Sequence, residues 1–299
     1  MHPTVVAVLA TARTAERVSP VLAARVAQPL FTATRPPMRV RDGDRAVHAA
    51  ARITRLRVRD RDALVYEWGH GAEVVLLAHG WRGRASQFGS IVRELRSDGY
   101  RVVAFDAPAN GDAPGRRADI RDWLAVIEEL QRRHGRFRAI VGHSFGAVAA
   151  HTAVREGVAT GGVVAIAGMS AARFVVDAFA AGVGLGTPTA DQLASRFARI
   201  VLGDDDARLR RFDDVANPLP SDVPLLLVHD RDDREVPVGE AVRVHEAHGE
   251  RSRLVVTTGG GHNRVLGLDA TLDAVNAFVA GGLDAVDASG PRQPAAVHG

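Results

Sequence analysis

The sequence contains no cysteine and no lysine. Without cysteine there is no disulfide framework, no thiolate nucleophile and no cysteine-ligated metal. Without lysine, all 38 basic residues are arginine, whose guanidinium stays charged far into alkali. This explains a pI near 10.3 in a chain whose net charge is only +3. Aromatic residues make up 5%, and no arginine-rich stretch interleaves with them as a base-stacking platform requires, so nucleic acid is not an expected partner. Long uncharged apolar runs are also missing. The short run Val5–Ala10 lacks a positive leader and is soon followed by Arg13 and Glu16, so neither a signal peptide nor an integral membrane segment is expected, and the expected location is cytoplasmic. No spacing of histidines and acids makes a metal site, the acidic run Asp204-Asp205-Asp206 reads as a solvated helix end, and no metal or other cofactor is expected.

What is present is 299 residues, 46% hydrophobic and 24% charged, enough for a substantial core. Residues 1–51 read as a helical extension and linker. Val18, Leu22, Val26 and Leu30 recur every four residues, predicting an amphipathic helix broken near Pro20 and ended by Pro29. From residue 52 a hairpin turning at Arg59–Asp62 gives way to apolar runs at 74–78, 101–105, 137–141, 162–167, 224–228 and 253–257, with amphipathic helices between them. Continuous apolar strands alternating with helices predict an α/β fold, a doubly wound, mostly parallel sheet with an antiparallel N-terminal edge. Residues 169–222 interrupt the rhythm. Leu193, Phe197, Ile200 and Val201 fall at helical spacing, with Thr189 and Gln192 as a capping box, which predicts a small helical cap. The main domain is expected over 52–283, its last helix from about Asp269 to Ala280. The tail 284–299 has little to bury and is expected to be disordered.

The chemistry centres on Gly142-His143-Ser144-Phe145-Gly146. It follows one predicted strand directly and opens a small-residue helix. In that strand–turn–helix a serine is held in a tight turn with its hydroxyl above the sheet edge and backbone N–H groups beside it. A serine hydroxyl needs a base. His262, in the glycine loop Gly259-Gly260-Gly261-His262 after strand 253–257, is placed to reach it. The orienting carboxylate is expected in the loop after strand 224–228, from Asp230, Asp232 or Asp233. Two backbone donors are expected for a developing oxyanion: the N–H of Phe145 and, from the loop His79-Gly80-Trp81 after strand 74–78, the N–H of Trp81. His79 and Asp106 read as residues that hold loops, and Trp123 as part of a helix's core face. Trp81, Phe174 and Phe179 are candidates for an apolar substrate pocket.

With His79-Gly80-Trp81, Phe105-Asp106-Ala107-Pro108, Gly142–Gly146, Asp233-Arg234-Glu235-Val236-Pro237 and Gly261-His262, residues 52–282 resemble the α/β-hydrolase superfamily. In that family the acid commonly precedes x-x-Val-Pro, which implies Asp233. The family often carries a histidine in the turn after Asp106-x-Pro, where this chain has Asn110. The resemblance implies a serine hydrolase acting through Ser144, His262 and Asp233 on a carboxylic ester or related small acyl substrate, its activity rising through about pH 6–8 as the histidine base deprotonates. Another serine acyl-transfer enzyme (peptidase, amidase, thioesterase or acyltransferase) is the alternative, and a non-enzymatic binding module of the same fold a third.

Overall fold

The computed structural model describes residues 3–203 and 210–289; the run Asp204–Asp206 and the last ten residues of the expected tail lie outside them. Eight strands form one sheet in the order β1-β2-β4-β3-β5-β6-β7-β8. They are β1 (Arg52–Val58), β2 (Arg61–Trp68), β3 (Val74–Ala78), β4 (Arg101–Asp106), β5 (Ala139–His143), β6 (Val163–Ile166), β7 (Leu225–Asp230) and β8 (Ser252–Thr257). The β1–β2 and β2–β4 pairs are antiparallel and the rest parallel, which is the expected doubly wound α/β sheet with an antiparallel N-terminal edge.

The apolar runs are continuous because both faces of the sheet are covered. Leu76 and Ile140 point into one layer with Trp123, Ile127 and Val148, carried by helices α5 (Ile120–His134) and α6 (Phe145–Arg155). Val75, Leu77 and Val141 point into the other with Ile91, Leu95 and Phe278, carried by α4 (Gly89–Ser97), which the short α3 (Arg45–Ala49) precedes among the helices, and by the C-terminal helix Asp269–Ser289. Alternate residues of one strand thus meet different helices.

A third cluster lies outside these layers. Between β6 and β7 the chain forms α7 (Ala172–Gly182) and α8 (Thr187–Phe197). Two N-terminal helices, α1 (Pro3–Glu16) and α2 (Pro20–Phe31), pack on them, burying Ala12, Ala24 and Ala27 with Val176, Ala180, Leu193 and Ala194. Residues before 34 therefore share a core with the helices between β6 and β7.

Four local expectations are corrected. First, α2 runs past Pro29 to Phe31; so near the helix end, the lost hydrogen bond costs little. Second, its buried face is Ala23, Ala24 and Ala27, while Val18 and Leu22 of the expected stripe are 82% and 45% exposed; small side chains let the helices approach closely, and packing outweighs hydrophobic spacing. Third, α8 starts at Thr187-Pro188 with Gly186 as its N-cap, since proline suits the first helical turn. Thr189 is not a cap; its hydroxyl donates to Glu16 of α1 at 2.5 Å. Fourth, the last helix breaks at Gly282 (φ 72°), close to its expected end, but a second helical segment carries the chain on to Ser289, so residues 284–289 are not a disordered tail. Val286 is buried, and Asp287 accepts from Nε and Nη2 of Arg253 at 2.6 and 2.7 Å.

Candidate active site

The motif at 142–146 makes a sharp turn between β5 and α6. Ser144 has φ 53° and ψ −121°, a strained conformation for an L-residue. Both glycines are required by contact. A Cβ on Gly142 would stand 2.5 Å from Ala147 Cα, and one on Gly146 would stand 2.0 Å from the carbonyl oxygen of Ala78 in β3. The turn closes only because neither is there.

Two loops from the C-terminal edge of the sheet meet at this serine. His262 Nε2 lies 3.0 Å from Ser144 Oγ, and His262 Nδ1 lies 2.8 Å from Asp233 Oδ2. Asp233 Oδ1 accepts from the N–H groups of Glu235 and Val236 at 2.8 and 2.9 Å. Burial alone would raise the Asp233 pKa. The hydrogen bonds from His229, His262 and the Val236 N–H outweigh it and hold the carboxyl well below the usual range, so it is ionised at neutral pH. An ionised acceptor at Oδ2 fixes the proton on His262 Nδ1 and leaves Nε2 free to accept from the serine hydroxyl.

The other two candidate acids serve the loops instead. Asp230 accepts from Thr257 Oγ1 at 2.7 Å, Gly260 N at 3.0 Å and Gly261 N at 2.9 Å, and Asp232 accepts from Gly259 N at 2.8 Å. Burial acts to raise the Asp230 pKa, but these bonds lower it on balance. Both carboxylates pin the glycine loop that carries His262.

Sequence reasoning missed a second support. His143 is buried next to Ser144. Its Nδ1 accepts from the Gln87 amide at 2.9 Å, which leaves its Nε2–H to donate to the carbonyl of His262 at 2.8 Å. Burial, and after it the proximity of His262, push the His143 pKa down to about 3, so the ring is neutral and its tautomer fixed. The folded chain refuses a proton that the unfolded chain accepts below about pH 6.5, and stability therefore falls as pH falls from there toward about 3. His143 alone should cost about 2 kcal/mol between pH 7 and about pH 5. His143→Gln, which keeps a donor and an acceptor, should shrink that loss in paired urea melts; an unchanged loss would show that the ring does not refuse the proton.

The predicted oxyanion donors sit beside the serine. Phe145 is the first residue of α6, where an N–H has no acceptor one turn back. Gly80 packs so closely that a Cβ there would be 3.0 Å from Ser144 Cβ, bringing Trp81 to the same place. The loop is held from behind. His79, fully buried, accepts from Ala107 N at 3.0 Å through Nε2 and donates through Nδ1 to Gly80 O at 2.7 Å. Trp123 Nε1 donates to His79 O at 2.8 Å. Asp106 accepts from Ala85 N, Asp112 N and Tyr66 Oη at 2.7, 2.8 and 2.9 Å. Asn110 is buried and donates to Pro108 O at 3.0 Å.

A cavity of about 110 Å³ opens beside Trp81 and Phe145, its wall completed by Ile120, Val175, Phe179, Phe197, Phe31 and Thr32 among others. Trp81 and Phe179, two of the three candidate pocket residues, line it. Phe174 does not: neighbouring helical residues point about 100° apart, and Val175 takes the cavity-facing position. Phe31 and Thr32 belong to the N-terminal arm, clipped to the main body by Thr34 N to Arg116 O at 3.1 Å and Ala118 N to Thr32 O at 3.1 Å. No local pattern marks them as cavity residues.

The fold has many solved counterparts. Alpha/beta hydrolase domain-containing protein 10 from mouse superposes with a TM-score of 0.60 at 15% identity, over 78% of this chain and 99% of that one. The Pyrococcus furiosus esterase Pf2001 gives 0.58 at 19% identity, over 83% and 95%. A membrane phospholipase A described as a bacterial virulence factor gives 0.59 at 18%, over 80% and 88%. No curated protein matches the chain by sequence. The alpha/beta hydrolase family profile matches residues 75–278, a span that runs from β3 through the serine turn and both loops that meet it, and the chain belongs to that family.

Proposed function

We propose that the protein is a serine hydrolase cleaving a carboxylic ester of a small acyl group. The observation that carries this is the unbroken chain of contacts Ser144 Oγ, His262 and Asp233, at 3.0 and 2.8 Å. Ser144 Oγ attacks the ester carbonyl carbon while its proton passes to His262 Nε2. The carbonyl electron pair moves onto oxygen, which faces the N–H groups of Trp81 and Phe145. Asp233 stabilises the imidazolium through Nδ1. The tetrahedral adduct collapses, the carbon–oxygen bond to the alcohol breaks, and His262 returns the proton to the departing oxygen. Water then attacks the acyl-enzyme by the same route, and the carboxylic acid leaves with Ser144 restored. A fluorophosphonate probe should label the wild type and not Ser144→Ala; equal labelling of both would refute this reading.

The apolar cavity is the seat for the acyl chain. Each methylene it buries is worth about 0.8 kcal/mol, or roughly fourfold in kcat/KM. Across p-nitrophenyl esters of increasing length, kcat/KM should climb by about that factor per carbon and then fall once the cavity is full. Val175→Phe should move the optimum to shorter chains and Phe31→Ala to longer ones. Identical profiles for all three proteins would show that the chain binds elsewhere. A preference for aminoacyl anilides over esters would replace the esterase by an amidase or peptidase.

A further inference from the structure

The N-terminal arm has an unusual surface. Among the described residues, seven large hydrophobic side chains are exposed, and four of them, Val6, Val18, Val21 and Leu22, lie on α1, α2 or the turn between. Val18, Val21 and Leu22 sit together at the tip, 82, 44 and 45% exposed, although the interior face of the same helices is closed with alanines. The charge is equally lopsided. Residues 1–41 carry six arginines (13, 17, 25, 35, 39 and 41) against the single acid Glu16, a net charge of +5 in a chain of net +3, so the remainder is slightly negative. Glu16 is itself engaged, accepting from Gly186 N and Thr189 Oγ1. Arg17 and Arg25 are exposed beside the apolar tip. At the other end of α2, Arg35, Arg116 and Arg117 border a groove floored by Pro29, Leu30 and Ala33.

We infer that this arm docks the protein on an anionic lipid membrane, with Val18, Val21 and Leu22 entering the interface and the arginines meeting the headgroups. An apolar tip flanked by Arg17 and Arg25 suits the boundary between acyl chains and charged headgroups, where buried apolar area and attraction to anionic lipid add. Among the described residues no single helix is long and apolar enough to cross a membrane, and the docking proposed for the arm needs only the three tip side chains to enter the interface. A second copy of the chain fits less well. Two faces of the same strong positive charge repel, and a few tip side chains fall far short of the roughly 800 Å² per partner that a stable interface buries. The tip is also tied to the cavity. Helix α2 has twelve residues, roughly 18 Å at 1.5 Å each, and Phe31 at its far end lines the apolar cavity. The docking itself does not depend on the hydrolase reading, because it is measured by binding.

The test is co-sedimentation of the full chain with phosphatidylcholine vesicles, with and without phosphatidylglycerol. Binding should need phosphatidylglycerol and weaken as salt rises. Arg17→Glu/Arg25→Glu should reduce partitioning by at least roughly 25-fold, at about fivefold per arginine removed. Val18→Ser/Leu22→Ser should reduce it roughly tenfold or more. Both variants replace exposed tip residues, and their melting temperature and hydrolysis of a soluble ester serve as the folding control. Equal binding to both vesicle types, no binding to either, or variants that bind like the wild type would overturn the inference. A concentration-dependent dimer lost in Val18→Ser/Leu22→Ser, with no vesicle binding, would assign the tip to self-association and also overturn it.

Discussion

Asp233→Asn should lower kcat/KM on a p-nitrophenyl ester by about 10³–10⁴ while leaving the protein folded. The asparagine oxygen can still accept from the N–H groups of Glu235 and Val236, which Asp233 Oδ1 holds at 2.8 and 2.9 Å, so the loop keeps its shape. What changes is the group facing His262 Nδ1. An amide nitrogen there donates instead of accepting, and the imidazole moves its proton to Nε2, the atom 3.0 Å from Ser144 Oγ. A protonated Nε2 cannot take the serine proton, and the charge of the imidazolium loses its counter-ion. Asp230→Asn and Asp232→Asn provide the contrast. They weaken bonds to Gly259, Gly260, Gly261 and Thr257, which loosens the loop and should cost far less in rate. If Asp233→Asn keeps near-full activity, the acid role belongs to one of those neighbours.

Gly146→Ala should be the most damaging single methyl group in the chain. The new Cβ would fall 2.0 Å from Ala78 O, with Ala78 C and His79 O each at 2.6 Å. All three are backbone atoms at the end of β3, which is paired on both sides by β4 and β5 and cannot retreat. Overpacking of this kind costs about 3 kcal/mol or more, which in a chain of this size lowers Tm by roughly 5 °C or more. The same displacement pushes on the segment that continues into Gly80 and Trp81, so the residual activity of the folded fraction should fall as well. Gly239→Ala is the matched control, because nothing lies within 4 Å of a Cβ there, and its Tm should stay or rise slightly. A Gly146→Ala protein as stable as the control would mean that the serine turn is looser than these contacts require.

The sheet and the serine turn were legible because their signals are local. A strand buried on both faces must be apolar at every position, as β3 is from Val74 to Ala78, and the serine turn spells out its steric needs in Gly142 and Gly146. His262 and one acid of its neighbouring loop could be placed from strand ends, but the choice of Asp233 over Asp230 leaned on family resemblance: all three acids sit in the same loop and only the direction of each side chain separates them. The Gln87–His143–His262 strut was hidden for a different reason. It joins three segments by hydrogen bonds that leave no periodic trace, and His143 could be read only as the variable letter of a five-residue motif. The arm is the least legible part of the sequence, because its interior is alanine. Ala23, Ala24 and Ala27 carry little hydrophobic weight, so the eye follows Val18 and Leu22, which face outward.

The joining of α1 and α2 to α8 also has a kinetic side. Glu16 reaches Gly186 and Thr189 across 170 and 173 residues of sequence, among the costliest loops the chain has to close, and contacts of that separation slow folding. The arm leaves the ribosome before α8 does and cannot find its partner until residues 187–197 have been made. It should therefore dock late in folding and, by the same reasoning, open first in native-state hydrogen exchange, as a unit that includes α8. Such an opening would carry Phe31 and Thr32 away from the cavity while the serine turn, anchored in the central strands, stays protected.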